Sequence, residues 1–107
     1  MPKKIKNKMS FSYKVFKVVR SIPFGSFKTY KEVATLAGNK KAYRAVGNIL
    51  HKNPDSKKTP CHRVIRSDFT LSNNYAFGGY EGQKKKLEQE GLVFNEKGKV
   101  VRKEIDW

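Results

Sequence analysis

The sequence predicts a mostly α-helical domain with small β elements, arranged as a winged-helix-like helix-turn-helix, and three observations carry this. Apolar residues recur at helical spacing in successive segments over residues 10–52. The second and third of these segments are joined by a tight turn containing Gly38. The remaining apolar groups, Val64-Ile65, Leu92-Val93-Phe94 and Val100-Val101, are too short for anything but minor strands. A chain of 107 residues builds one domain with a modest core. There is no internal repeat and no long linker, so the expected division is a basic arm over residues 1–9 and a single domain over 10–107.

The first helix is expected from about Ser10 to Ser21, with Phe11, Val15, Val18, Val19 and Ile22 on one face and Lys14, Lys17 and Arg20 on the other. Ile22-Pro23-Phe24-Gly25 ends it in a turn. Thr29 and Glu32 stand three residues apart as a capping box for the second helix, which carries Val33, Leu36 and Ala37 and closes at Gly38. Asn39 caps a third helix from about Lys40 to Lys52, stopped by Pro54. Its core face is Ala42, Val46, Ile49 and Leu50. Lys41, Arg44, Asn48 and Lys52 lie opposite. Gly47 in mid-helix costs about 1 kcal/mol relative to alanine, and with Ala45 it makes a surface small enough for another molecule to approach closely. That face suits a nucleic-acid groove, or is simply solvated. A loop over residues 53–59 leads to a short buried strand at Val64-Ile65. Residues 68–74 are turn-rich. Tyr75-Ala76-Phe77-Gly78-Gly79-Tyr80 bends tightly, Gln83 to Glu90 forms a last helix with a solvated Lys84-Lys85-Lys86, and a hairpin turning at Asn95 to Gly98 ends the domain.

Charge narrows the partner. Against 9 Asp+Glu stand 24 Lys+Arg, a formal net charge of +15 that favours a polyanion, nucleic acid before an acidic membrane surface. No apolar run is long enough to span a bilayer. No apolar segment follows Lys3, Lys4, Lys6 and Lys8 to make a signal peptide. One cysteine excludes an internal disulfide and fits a reducing compartment, so a cytoplasmic location is expected, associated with nucleoid or nucleus through DNA. Cys61, His62 and His51 lack the spacing of a zinc site; neither metal nor cofactor is expected.

That cysteine lies in Pro60-Cys61-His62-Arg63-Val64. A thiol attacks only as thiolate, and His62, Arg63 and Arg66 are the groups expected to favour that form. Read from composition alone, Cys61 is first a small apolar core residue; Asn53 has the alternative of a turn residue before Pro54, and Glu90 that of a partner for lysines of its own helix.

Thr29-Tyr30, Arg44-Ala45-Val46-Gly47, Asn53-Pro54, the pentapeptide at 60–64, the Tyr75 to Gly78 loop and Glu90-Gly91 stand in an order and spacing that resembles the DNA-binding, active-site domain of O6-alkylguanine-DNA alkyltransferases. The resemblance covers residues 10–92, and its central pentapeptide with an upstream Arg-Ala-Val-Gly is the most specific part. It implies a suicide repair protein that moves an alkyl group from O6 of guanine in double-stranded DNA to Cys61, after minor-groove binding and extrusion of the base. His62 would act as general base through a water, Glu90 would orient His62, and Asn53 would tie the recognition helix to the active-site loop. Tyr30 would rotate the phosphate and donate to the base, Arg44 would fill the space left by the flipped nucleotide, and Ala45, Gly47, Asn48 and Lys41 would face DNA. Tyr75, Phe77, Gly78 and Val64 would border the alkyl pocket. A monomer is expected.

Two departures from the family pattern stand out. Many members carry an additional N-terminal domain that is not in this sequence, and the stretch from Tyr75 to Glu90 is one residue longer than the common pattern. The length also resembles the alkyltransferase-like proteins, which bind alkylated DNA without repairing it and typically have tryptophan or alanine in place of the nucleophile. Cys61 argues against that class. Three functions therefore stay open: an alkyltransferase, a non-catalytic lesion sensor, and a plain helix-turn-helix DNA-binding domain.

Overall fold

The computed structural model describes residues 10–55, 57–71 and 75–101. The expected basic arm, Ser56, the end of the turn at 72–74 and the tail at 102–107 lie outside them. Helix α1 (Phe11–Arg20) is capped by the Ser10 hydroxyl, which accepts from the Tyr13 amide. Strand β1 (Lys28–Thr29) runs directly into α2 (Tyr30–Leu36). The capping box is present in full: Thr29 Oγ1 accepts from the Glu32 amide at 3.1 Å, and the Thr29 amide donates to Glu32 Oε1 at 2.8 Å. Gly38, at φ +102°, turns the chain after α2, and the Asn39 amide returns to the Ala34 carbonyl.

The third helix is shorter than its periodicity suggests. The Asn39 side chain accepts from the Lys41 amide and sets a 3₁₀ turn over Lys40–Ala42, and only then does α3 (Tyr43–His51) begin. Together α2, this turn and α3 form the helix-turn-helix. A second 3₁₀ turn, Cys61–Arg63, precedes strand β2 (Val64–Ile65), which pairs in parallel with β1 in the register Lys28 with Val64 and Thr29 with Ile65. Helix α4 (Gly79–Gln89) starts four residues ahead of the expected Gln83. It can do so because Gly82 lets its first turn close on the Phe77 carbonyl, 2.7 Å from where a Cβ would sit. The terminal hairpin reduces to one antiparallel bridge between Phe94 and Val100.

Strand alternation joins two core clusters. Val64 packs with Val15, Val19, Val33, Val46 and Leu50 from the first three helices, and Cys61 belongs to this cluster. Ile65 points the other way, among Phe27, Leu71, Leu87 and Val100. The Cys61–Arg63 turn is thus wedged between the helix-turn-helix on one side and α4 on the other. Among the described residues no helix is long and apolar enough to cross a membrane.

Candidate active site

Cys61 is 5% exposed and opens the 3₁₀ turn that β2 anchors from behind. Asn53, two residues past the end of α3 and also buried, reaches across from the loop after that helix. Its Nδ2 donates to the Thr59 carbonyl at 2.9 Å and to Cys61 Sγ at 3.3 Å, while its Oδ1 accepts from the Asp55 amide. The residue is therefore more than a turn former.

His62 and Glu90 meet although 28 positions separate them: Nε2 lies 2.7 Å from Oε2. Arg63 completes a bidentate clamp on the same carboxylate, Nε to Oε1 at 2.9 Å and Nη2 to Oε2 at 2.8 Å, with Nη1 donating to the Ile22 carbonyl. The Gly25 amide adds a fourth donor at 3.2 Å. Burial alone would raise the Glu90 carboxyl, but the bonds from Arg63, His62 and Gly25 outweigh it and hold the pKa at about 2. Glu90 is thus an anion held by His62 and Arg63 of the 3₁₀ turn, where a pairing with the lysines of its own helix was the alternative. An ionised carboxylate requires that Nε2 carry the imidazole proton. Burial holds His62 below the usual histidine range against the pull of Glu90, so the ring is neutral at pH 7 and Nδ1 is a free base. Nδ1 is buried and has no hydrogen-bond partner among the described residues.

The electrostatics of Cys61 run against the expectation from its neighbours in sequence. Burial pushes the thiol above its ordinary value, and the opposing effects of the Asn53 hydrogen bond, the backbone amide and the Lys86 charge are smaller. Arg63 is engaged by Glu90, and Arg66 is exposed beyond β2. The resting pair is a neutral thiol and a neutral imidazole, so ionisation needs proton transfer to a base.

Two concavities meet at this point. On α3, a groove of about 690 Å³ is bordered by Tyr30, Arg44, Gly47 and Asn48 and, across from them, Arg66 to Asp68. Beside Cys61 a cavity of about 10 Å³ is enclosed by Tyr30, Gly47, Leu50, Tyr75, Ala76 and Gln83, among others. Tyr30 and Gly47 border both, so the sulfur lies behind the wall of the α3 groove. Of the residues expected at the pocket, Tyr75 borders the cavity; Phe77, Gly78 and Val64 do not, and Ala76 stands where Phe77 was expected. Val64 is instead buried in the core. Lys41 and Ala45 lie outside the groove.

Several residues were missed by sequence reasoning. Lys86 was expected in solvent, yet its Nζ sits 5.7 Å from the ring centres of both Tyr75 and Phe77, and Lys84 lies over Phe94 at 5.5 Å. Adjacency of Lys86 to the buried Leu87 is the signal that the sequence carries. Gln83, 3% exposed, donates through Nε2 to the carbonyls of His62 and Val64, each at 3.0 Å. Lys31 over the Tyr43 ring, at 5.3 Å, extends the basic edge of the α3 groove.

Residues 10–92 match the family described as "6-O-methylguanine DNA methyltransferase, DNA binding domain". The chain belongs to this family. It is 43% identical over 84 residues to the methylated-DNA–protein-cysteine methyltransferase of Rattus norvegicus, a match that takes in 78% of this chain and 40% of that protein. It is 36% identical over 97 residues to a DNA base-flipping protein of Vibrio parahaemolyticus, covering 91% of this chain and 95% of that one. The crystal structure of S. pombe Atl1 in complex with damaged DNA containing O6-carboxymethylguanine superposes with a TM-score of 0.71 and 34% identity, over 84% of this chain and 85% of that one. This methyltransferase-family chain spans about two fifths of the length of the rat and Methanosarcina barkeri methyltransferases it matches, 40% and 42%.

Proposed function

We propose that this chain is a single-turnover alkyltransferase that repairs O6-alkylguanine in double-stranded DNA by taking the alkyl group onto Sγ of Cys61. One observation carries the reading: the buried sulfur, held by Asn53, lies behind the Tyr30–Gly47 wall that it shares with the groove on α3. In this reading α3 lies in the minor groove, Arg44 fills the place of the extruded guanine, and Asn48 and Lys41 contact the strands. The cavity beside Cys61 has room for about one water, so the incoming base displaces the side chains of Tyr75 and Ala76.

The chemistry follows from the protonation states. Nδ1 of His62 takes the thiol proton, directly or through one water, and the imidazolium is stabilised by Glu90, which Arg63 keeps ionised. The thiolate attacks the alkyl carbon: the S–C bond forms as the C–O6 bond breaks, and the electron pair stays on guanine. Tyr30 gives that base a proton and regains one from the imidazolium, so the thiol proton ends on guanine. The proposed step contains no route from the thioether back to the thiol, so each molecule acts once.

Incubation with a duplex containing O6-methylguanine, followed by mass spectrometry, is the test. One added methyl on the Cys61 peptide is expected, and Cys61→Ser abolishes it while duplex binding persists. An intact, unmodified Cys61 after the lesion is bound rejects transfer. The near full-length match to a DNA base-flipping protein favours a second reading, lesion binding without repair. That reading predicts tight binding to the alkylated duplex with the lesion unchanged.

A further inference from the structure

We infer that Gln83 is a positioning residue of the reactive turn, a second carboxamide that sets the direction of the Cys61 sulfur from the side opposite Asn53. The 3₁₀ turn Cys61–Arg63 is short and its hydrogen-bond geometry is intrinsically poor. Its internal bonds are few: the Arg63 amide reaches the Pro60 carbonyl, and the Val64 amide reaches the Cys61 carbonyl. Upstream, the Asn53 amide group holds the Thr59 carbonyl and Sγ itself. Downstream, the carbonyls of His62 and Val64 both face one atom of Gln83 at 3.0 Å, which identifies that atom as the amide nitrogen. Both hydrogens of the amide are then engaged, and the side chain has no remaining freedom about its last bond.

Gln83 also joins the turn to α4, and it borders the same cavity as Cys61. Helix α4 supplies Lys86 over Tyr75 and ends at Glu90, the partner of His62. One element thus sets both the backbone that presents the sulfur and the acid that orients the base. Without the Gln83 donors the carbonyls of His62 and Val64 lose this shared side-chain partner, and the turn rotates to replace it. Sγ then leaves the line that a displacement at carbon requires.

The kinetic arm of this inference rests on the alkyl-transfer reading; its structural arm does not. Three variants are compared with the parent: Gln83→Met, which keeps volume and removes both donors, Gln83→Lys, which keeps N–H donors, and Gln83→Ala. Transfer from an O6-methylguanine duplex under single-turnover conditions falls at least tenfold in Gln83→Met, with duplex affinity within twofold, and recovers in Gln83→Lys. Amide hydrogen exchange at Arg63 and Val64 accelerates at least tenfold in Gln83→Met while α1 amides keep their protection. A folded Gln83→Met that transfers at the parent rate overturns the inference. If the parent itself transfers nothing, the alkyl-transfer reading fails, and exchange at Arg63 and Val64 decides the role of Gln83: unchanged protection refutes it.

Discussion

Gly47→Ala is a substitution whose sign the structure decides. Glycine in mid-helix is worth about 1 kcal/mol less than alanine, so the change is favourable unless the new methyl meets something. A Cβ at this position would find Tyr30 Cε1 at 3.9 Å, ordinary van der Waals contact, and nothing nearer. The folded state therefore gains about 0.5–1 kcal/mol, which raises the melting temperature by about 2–8 °C in a domain of this size. Binding responds in the opposite sense. Gly47 borders both the α3 groove and the cavity at Cys61, so under the proposed alkyl transfer a methyl there narrows the path of the DNA backbone and the extruded base. Duplex affinity is expected to drop about tenfold, roughly 1.4 kcal/mol. Calorimetry and fluorescence anisotropy on a lesion-bearing duplex measure the two effects. A destabilised variant would mean that the glycine answers an internal packing need, and unchanged affinity would remove α3's small face from the DNA interface.

The remaining expectations concern the buried polar groups. Because folding lowers the Glu90 carboxyl from 4.5 to about 2, its contribution is complete above pH 4.5 and is lost as pH falls from there towards 2; denaturation curves for Glu90→Gln lack this slope. His62, held below 6.5 by burial, adds a loss that begins higher, as pH falls below the ordinary histidine range, and His62→Gln removes it. Alkylation of Cys61 by iodoacetamide in the absence of DNA rises with pH to a midpoint above that of an unperturbed cysteine; a midpoint below it would mean a resting thiolate and contradict the burial argument. Asn53→Ala strips the Thr59 carbonyl and Sγ of their donor, costing about 1–3 kcal/mol in urea unfolding and raising the thiol pKa further; a loss under about 0.5 kcal/mol would show that the bond carries little.

Local rules in the chain were enough for the first two helices and for the caps at Ser10, Thr29 and Asn39. Ser10, Thr29 with Glu32, Gly38 and Asn39 act on neighbours within a few residues, and each cap forms as its residue type requires. Composition pointed to a basic helix face, and the motif around Cys61 to the family that the chain belongs to. Where the reading from sequence erred, packing geometry decided, whether the partner lay a few residues away or many. The α4 start depended on how closely Gly82 approaches Phe77, and the position of Lys86 on two rings brought near by the bend before that helix. Gln83 carries no motif; its importance exists only because β2 and the 3₁₀ turn aim two carbonyls at it across 19 and 21 residues. The charge state of Cys61 changed for the same reason. Adjacent basic residues suggest a thiolate, but Arg63 turns to Glu90 and burial removes the water that would stabilise the anion. Sequence proximity measures the bonds between residues, whereas desolvation depends on what the whole fold stacks around an atom, and only packing sets that.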